Sequence, residues 1–232
     1  MFAMMEASNH AEALMSFNVY MVRHGQTYLN LYHRMQGWSD APLTEKGLAD
    51  GTHAGELLSA VPFTAAYSSD LARTQATGKL ILAENGSGIT ATTPCQEFRE
   101  QFFGYWEGYD DGLLWHQVGS PRGGNSYNEL IEKYGLQETT DLVAAADQYH
   151  HAETYADIWT RIQAGIQLLR DNSQDGDNVL VVTHGTYLRH VLDHYATDLP
   201  TQPGPRNGSV TKLVIDDATV TVKYSDRLTS ID

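Results

Sequence analysis

Two histidines, each followed by glycine and each closing an apolar run, hold the most chemical potential in this chain: His24 in Val22-Arg23-His24-Gly25 and His184 in Val182-Thr183-His184-Gly185. The ends of parallel strands converge on one crevice in an open α/β sheet, so two such turns, far apart in sequence, point to one site. A glycine after each histidine lets the backbone come close to a ligand, and exposed N–H groups there suit an anion. Arg23, beside His24, and Arg73, within Ser68-Ser69-Asp70-Leu71-Ala72-Arg73-Thr74, offer guanidinium forks that match phosphate oxygens. The implied ligand is a phosphoryl group, which a histidine can accept covalently.

These residues need a frame. A β-rich run over 18–22 reads as a buried strand delivering Arg23 and His24, and another over 179–182 delivers Thr183 and His184. Thr44 can cap a helix over 44–59 with Leu48, Ala54, Leu57 and Leu58 inward, and Asp70 can cap a second helix ending near 83. Strands are expected at 63–68 and 90–95, a helix over 152–172, a helix after His184, and a closing hairpin from 210–215 and 220–224. Between about 104 and 151, Gly, Tyr, Asp and Trp are frequent and periodicity is poor, which reads as an insertion forming a lid over the sheet. The chain is read as one domain over 1–232, with 1–17 as an N-terminal extension.

Four ordered motifs between about Val19 and Arg189 resemble the histidine phosphatase superfamily, the phosphoglycerate mutase-like group. They are Arg23-His24-Gly25-Gln26-Thr27 with Asn30, Gln36-Gly37, Asp40 and Pro42-Leu43-Thr44; Tyr67-Ser68-Ser69-Asp70-Leu71 with Arg73-Thr74; Phe98-Arg99-Glu100 with Gly104, Trp106, Glu107 and Gly108; and Val182-Thr183-His184-Gly185. The resemblance implies a three-layer α/β sandwich with a mixed, mostly parallel sheet, no cofactor and no metal. It implies that His24 is phosphorylated and that Glu100 protonates the leaving oxygen. Arg23, Arg73 and His184 would hold the phosphate, Asn30 and Gln36 would add hydrogen bonds, and the Gly37 and Gly185 backbones would line the pocket. The implied activity is a phosphatase acting on a small phosphorylated metabolite, with a phosphoglycerate mutase or a catalytically silent phospholigand-binding protein as alternatives. Gln26 stands where the family often has Glu, and Tyr28-Leu29 replaces a commoner polar and Trp pair.

Each residue also has a plainer reading. Arg73 at i,i+3 from Asp70 can be a surface ion pair, Glu97 or Glu107 can be the acid in place of Glu100, and His184 can be a core histidine. His190 and His194 share a helix face but lack the third ligand a zinc site needs. The aromatic cluster at 102–115 is core before it is pocket. Residues 101–160 hold only Arg122 and Lys133 as Lys or Arg, against ten acidic residues, and such a lid would repel the second phosphate that a mutase must hold.

The 232 residues carry 15 Lys+Arg and 29 Asp+Glu, a formal charge of 15 − 29 = −14, which opposes nucleic acid and anionic membranes as partners. The single Cys95 forms no internal disulfide, no export signal is evident, and no run of about 18 apolar residues occurs, so the cytoplasm is the expected location. The Asn-Gly-Ser sequences at 85–87 and 207–209 read as turns. Oligomeric state is not set by these features.

Overall fold

A computed structural model describes residues 15–196 and 204–231. Six strands form one mixed sheet in the order β3-β2-β4-β1-β5-β6: β1 (Ser16–Arg23), β2 (Ala65–Ser68), β3 (Thr93–Pro94), β4 (Asn178–Thr183), β5 (Val210–Asp216) and β6 (Val220–Arg227). The first four in that order run parallel, while β5 pairs antiparallel with β1 and β6 with β5.

Side-chain alternation in the central strands makes the three layers. Phe17, Val19 and Met21 of β1, with Val179 and Val181 of β4, face one cluster shared with Ile158, Ile162, Ile166 and Leu169 of α6 (Tyr155–Asn172) and Leu188 and Val191 of α7 (Gly185–Tyr195). Tyr20, Val22, Leu180 and Val182 face the other, with Ala54 and Leu58 of α2 (Glu45–Leu58) and Ile81 and Leu82 of α3 (Ala72–Glu84). Strands apolar on both faces are what a sheet covered by helices requires. The register pairs Arg23 with Thr183, so the residues that follow, His24 and His184, leave the sheet side by side.

The strand opening begins at Ser16, and Phe17 is fully buried, so the expected extension gives up its last two residues to β1; residues 1–14 lie outside those described. Thr44 caps α2, accepting from the Gly47 amide at 3.0 Å, but Leu48 is exposed because the inward face of α2 is built from Gly47, Gly51, Ala54 and Gly55. Asp70 does not cap α3. Its carboxylate is held by Arg99, Nε to Oδ1 and Nη2 to Oδ2 both at 2.6 Å, and the α3 N-cap is Leu71, with the Ala72 amide donating to Asp40. The strand expected at 90–95 shrinks to Thr93–Pro94, since proline has no N–H for a ladder.

Residues 104–151 depart most from the expectation. They are largely helical: α4 (Asp111–Gly119) and α5 (Tyr127–Ala146) pack Leu114, Val118, Leu130 and Val143 with Met35, Phe103 and Trp106 in a cluster of their own. Gly135, at φ 80°, breaks α5 in mid-course and shifts the phase of its apolar positions, which erases a single 3.6-residue period. The caps were nevertheless present in the sequence: Asp110 accepts from the Leu113 amide, and Ser126 from the Glu129 amide. The ends of the segment are tied by Asp147, fully buried, whose carboxylate accepts from the amides of Tyr105, Tyr149, His151 and Ala152. Among the described residues no helix is long and apolar enough to cross a membrane.

Asp147→Ala leaves four amides without their acceptor, and at roughly 0.5–1.5 kcal/mol for each net hydrogen bond the fold should lose about 2–6 kcal/mol. Urea unfolding monitored by tryptophan fluorescence measures this; a loss below 0.5 kcal/mol, taken here as about the noise of such a ΔΔG, would remove Asp147 as the tie.

Candidate active site

The structure gathers His24, His184, Arg73, Arg23, Glu100, Asn30 and Gln36 at the carboxyl ends of β1, β4 and β2. His24 and His184 are buried, their ring centroids 5.2 Å apart. The His24 Nδ1 lies 2.8 Å from the Gly25 carbonyl oxygen, an atom that only accepts, so Nδ1 carries the proton and Nε2 the lone pair. Arg73 donates from Nη2 to His184 Nδ1 at 3.0 Å, which puts the His184 proton on Nε2, 2.8 Å from Ser69 Oγ. Burial first, and then the Arg73 charge, hold both imidazoles well below their ordinary pKa, so both are neutral.

Arg73 has no exposed surface to speak of, and all five of its N–H groups are used. Nε donates to His24 Nε2 at 3.3 Å, Nη1 to Ser39 O and Asp40 Oδ1, and Nη2 to Gly37 O at 2.6 Å and to His184. The reading of Arg73 as a surface partner of Asp70 is therefore wrong. Arg23 differs: Nη1 donates to Pro205 O at 2.7 Å, whereas its buried Nε has no partner. Gln36 likewise accepts on Oε1 from Thr27 and Asn30 and leaves a buried Nε2 unpaired. Unpaired buried donors are uncommon and mark where an acceptor is missing.

Glu100 and Glu107 separate cleanly. Glu107 accepts from the amides of Gly37, Trp38, Ser39 and Phe103 and so staples two loops together. Glu100 accepts from Gln101 and Tyr187 on Oε1 and from Thr186 on Oε2, capping the first turn of α7, and it lines a cavity. Burial pushes the Glu100 pKa up, against the opposing pull of those amides and of Arg73. Arg161, to which no sequence signal points, donates to the carbonyls of Glu97, Arg99 and Glu100 while paired with Glu153, and so fixes the Glu100 backbone.

That cavity, about 240 Å³, is bounded by Arg23, Asn30, Gln36, Glu100, Gly185 and Arg189, with Asp111 and Trp115 of α4 and Tyr127 of α5. His24, Arg73 and His184 are buried and do not line it. Nor does Gly37, whose amide is taken by Glu107 and whose carbonyl supports Arg73. The glycines after the histidines serve packing: a Cβ on Gly25 would lie 2.1 Å from the Gly47 carbonyl oxygen, and one on Gly185 would meet the Arg23 guanidinium at 3.0 Å. Gly185 borders the cavity as expected, but of the neighbouring backbone amides several are already engaged. Gly25 N donates to Thr77 Oγ1, and the amides of Thr186 and Tyr187 go to Glu100. Asn207, read as a turn residue, donates to the His24 carbonyl at 2.9 Å, and Asn85 is bonded inward to Leu58 and Val61. His190 is buried with neither ring nitrogen partnered, and no group of three metal-ligating side chains occurs among the described residues.

Residues 19–226 match the histidine phosphatase superfamily (branch 1). The chain belongs to that superfamily. It is 31% identical over 183 residues to a 2,3-bisphosphoglycerate-dependent phosphoglycerate mutase of Gloeobacter violaceus, an overlap of 77% of this chain and 76% of the relative. A crystal structure of phosphoglycerate mutase from Bacillus anthracis superposes with a TM-score of 0.86 at 35% identity, covering 93% of this chain and 95% of the other. A putative alpha-ribazole-5'-P phosphatase from Escherichia coli shares the fold at a TM-score of 0.64 and 20% identity, covering 92% and 98%. The two relatives of higher identity are phosphoglycerate mutases, whereas the putative phosphatase, at 20% identity, shows the shared fold alone.

The two depressed histidines set a pH dependence. In the unfolded chain their imidazoles take up protons near pH 6.5, while the buried rings resist, so protonation favours the unfolded state and their contribution is lost as pH falls below about 6.5. Glu100, raised above its ordinary 4.5, acts oppositely: its penalty grows as pH rises through its folded value. Unfolding free energies at pH 7.5 and 5.5 should therefore differ less in His24→Gln and His184→Gln than in the wild type; equal differences in all three would show that the rings are not held neutral.

Proposed function

We propose that the protein is a phosphatase that hydrolyses a small phosphate monoester through a phosphohistidine on His24. The observation that carries this reading is the His24 ring: a fixed tautomer with its Nε2 lone pair turned to the Arg73 guanidinium, beside a buried acid that lines a cavity with two unpaired donors. In the first step Nε2 attacks phosphorus, the P–O ester bond breaks, and the leaving oxygen takes the proton from Glu100. In the second, the Glu100 carboxylate takes a proton from water as its oxygen attacks phosphorus and the N–P bond breaks, releasing inorganic phosphate. Arg23 Nε and Gln36 Nε2 are the donors that await phosphate oxygens. Arg73 must exchange its long bond to His24 Nε2 for one to the phosphate as attack begins. His184 supports that guanidinium and offers its ring to the same group.

Water as acceptor is supported by what residues 104–151 present to the cavity. Arg122 donates to the Val118 carbonyl and Lys133 to the Arg122 carbonyl, so neither cation faces it, and the segment contributes Asp111, Trp115 and Tyr127 instead. Acting as a lid, it adds negative charge and aromatic surface. The mutase reading is favoured by Arg189 and Arg34 on the same cavity wall, although Asp111 offsets one of them. A cytoplasmic setting, with a freely diffusing metabolite as substrate, suits the reading.

His24→Ala should abolish turnover of every phosphate ester, and acid-labile label from a radioactive ester should appear on the wild type alone; activity close to wild type in this variant would end the phosphohistidine proposal. Glu100→Gln should lose about 10²- to 10⁴-fold, less for aryl esters whose leaving groups need little protonation. A larger loss in Glu107→Gln, with its fold intact, would move the acid to Glu107. For the acceptor, 3-phosphoglycerate with catalytic 2,3-bisphosphoglycerate is followed for 2-phosphoglycerate and free phosphate, beside a panel of monophosphates. Isomerisation much faster than phosphate release on every substrate would make the enzyme a mutase.

A further inference from the structure

Arg73 and Thr74 are neighbours in the first turn of α3, and their side chains meet again through a ring of other groups. Arg73 Nη2 donates to His184 Nδ1 at 3.0 Å, His184 Nε2 lies 2.8 Å from Ser69 Oγ, and Ser69 Oγ lies 2.8 Å from Thr74 Oγ1. Ser69 and Thr74 are fully buried, so bulk solvent cannot replace these bonds. The direction of each hydrogen in the ring is fixed. A guanidinium cannot accept, so the His184 proton is on Nε2 and Ser69 Oγ accepts it. Ser69 must then give its own hydrogen to Thr74, which donates in turn to the Leu71 carbonyl at 2.7 Å. Were the ring reversed, His184 Nδ1–H would face the Arg73 N–H across 3.0 Å, two donors in contact.

An independent observation shows that the backbone does not need the Thr74 hydroxyl. The Leu71 carbonyl already accepts from the Thr74 and Gln75 amides, and the Ser69 carbonyl, also in reach of Thr74 Oγ1, accepts from Ser68 Oγ. Ser69 is the group that needs it: His184 Nε2 and the Leu71 amide both donate to the Ser69 hydroxyl, and Thr74 is the partner that can accept from it. The Ser69 amide donates to the Val182 carbonyl at 3.0 Å, which fixes Ser69 to the strand that delivers His184.

We propose that Ser69 and Thr74 are positioning residues for phosphoryl transfer: their hydroxyls lock His184 in the Nε2–H tautomer, and its free Nδ1 then holds the Arg73 guanidinium against the His24 lone pair. This rests on the reading of His24 as the nucleophile, whichever acceptor the phosphoryl group finally meets. Without an acceptor at Thr74, the Ser69 hydrogen turns to His184 Nε2 and drives the proton to Nδ1. That N–H pushes Arg73 Nη2 away, and with it Nε, which lies 3.3 Å from His24 Nε2. Capture of the ester at Arg23 and Gln36 does not pass through this ring, so the lock governs the rate of transfer more than binding.

The test separates the hydroxyl from the packing. Thr74→Val keeps the branched shape and removes the hydroxyl, Thr74→Ser keeps the hydroxyl, and Ser69→Ala breaks the ring at a second point. Long-range proton–nitrogen correlation spectra of histidine-labelled protein, recorded above about pH 7.5 and assigned with His184→Gln, read which ring nitrogen carries the proton. In wild type and Thr74→Ser, His184 should show a protonated Nε2 and a bare Nδ1, the reverse of His24. In Thr74→Val and Ser69→Ala the Nδ1–H form of His184 should appear. With an aryl phosphate, kcat should fall about 5- to 100-fold in those two variants, the range for a buried polar group stripped of its partner, while KM stays within about twofold. Thr74→Ser should keep most of the wild-type kcat. An unchanged His184 spectrum in both Thr74→Val and Ser69→Ala overturns the inference. So does a kcat that survives the change of tautomer, or a loss in Thr74→Ser as large as in Thr74→Val. If the spectra change as stated and the wild type turns over no phosphate ester, the phosphatase reading fails and the tautomer lock stands.

Discussion

A fully desolvated guanidinium, that of Arg73, organises the centre of this protein. Moving such a charge out of water is unfavourable by several kcal/mol unless every N–H finds an acceptor. Here five do: two backbone carbonyls, one carboxylate and two imidazole nitrogens. That requirement fixes much else. The 37–40 loop must turn its carbonyls inward, and this in turn leaves amides that Glu107 collects. Both histidines must be neutral and in opposite tautomers, one held by the Gly25 carbonyl and the other by Ser69. A cation that sets the protonation of two histidines while touching both is a structural hub before it is a ligand for phosphate.

The saturation of Arg73 divides the work at the site. Donors already satisfied gain little from an incoming anion, because each new bond replaces an old one. Donors left open, as on Arg23 and Gln36, gain the full difference. In the proposed reaction, initial capture of a phosphate therefore falls to Arg23 and Gln36, and Arg73 enters when its weakest contact, the 3.3 Å bond to His24, gives way. That exchange frees the Nε2 lone pair at the moment a phosphate oxygen arrives to take its place. Nucleophile and clamp are thus linked through one hydrogen.

Much of this was legible in the sequence, and what was not has physical reasons. The apolar runs before His24 and His184 are buried on both sides, so they stand out in composition and place both residues at one end of a sheet. Arg73 and Glu100 could be found only as members of ordered motifs, since a lone Arg or Glu in a helix or loop carries no mark of what it will touch. Gly185 borders the cavity as the sequence implies, but the packing served by glycine at 25 and 185 is not legible there. Close approach of Gly25 to Gly47, and of Arg23 to Gly185, is a tertiary contact across distant segments, and a sequence records only that a side chain is absent. Arg161 and Asn207 act through backbone carbonyls, which every residue has, so nothing in their neighbourhood flags them. Helices α4 and α5 were missed for a different reason: the break at Gly135 and the crowd of aromatics hid a period that the caps Asp110 and Ser126 announce.

One short helix carries the remaining consequence. The N-cap of α7 is His184, its first amides hold Glu100, and Arg189 follows one turn later. A buried helix moves as a unit, so Glu100, His184 and Arg189 keep fixed separations. The same amides that orient Glu100 also favour its carboxylate, while burial favours its acid form, and the two effects oppose each other with burial the larger. A group needed as acid in one step and base in the next has to lie near such a balance, because a strongly displaced pKa would speed one proton transfer only by slowing the other. Releasing α7 from Glu100 would tip that balance and loosen His184 and Arg189 together, so in the proposed reaction the carboxylate that handles the proton is also the one that caps the helix.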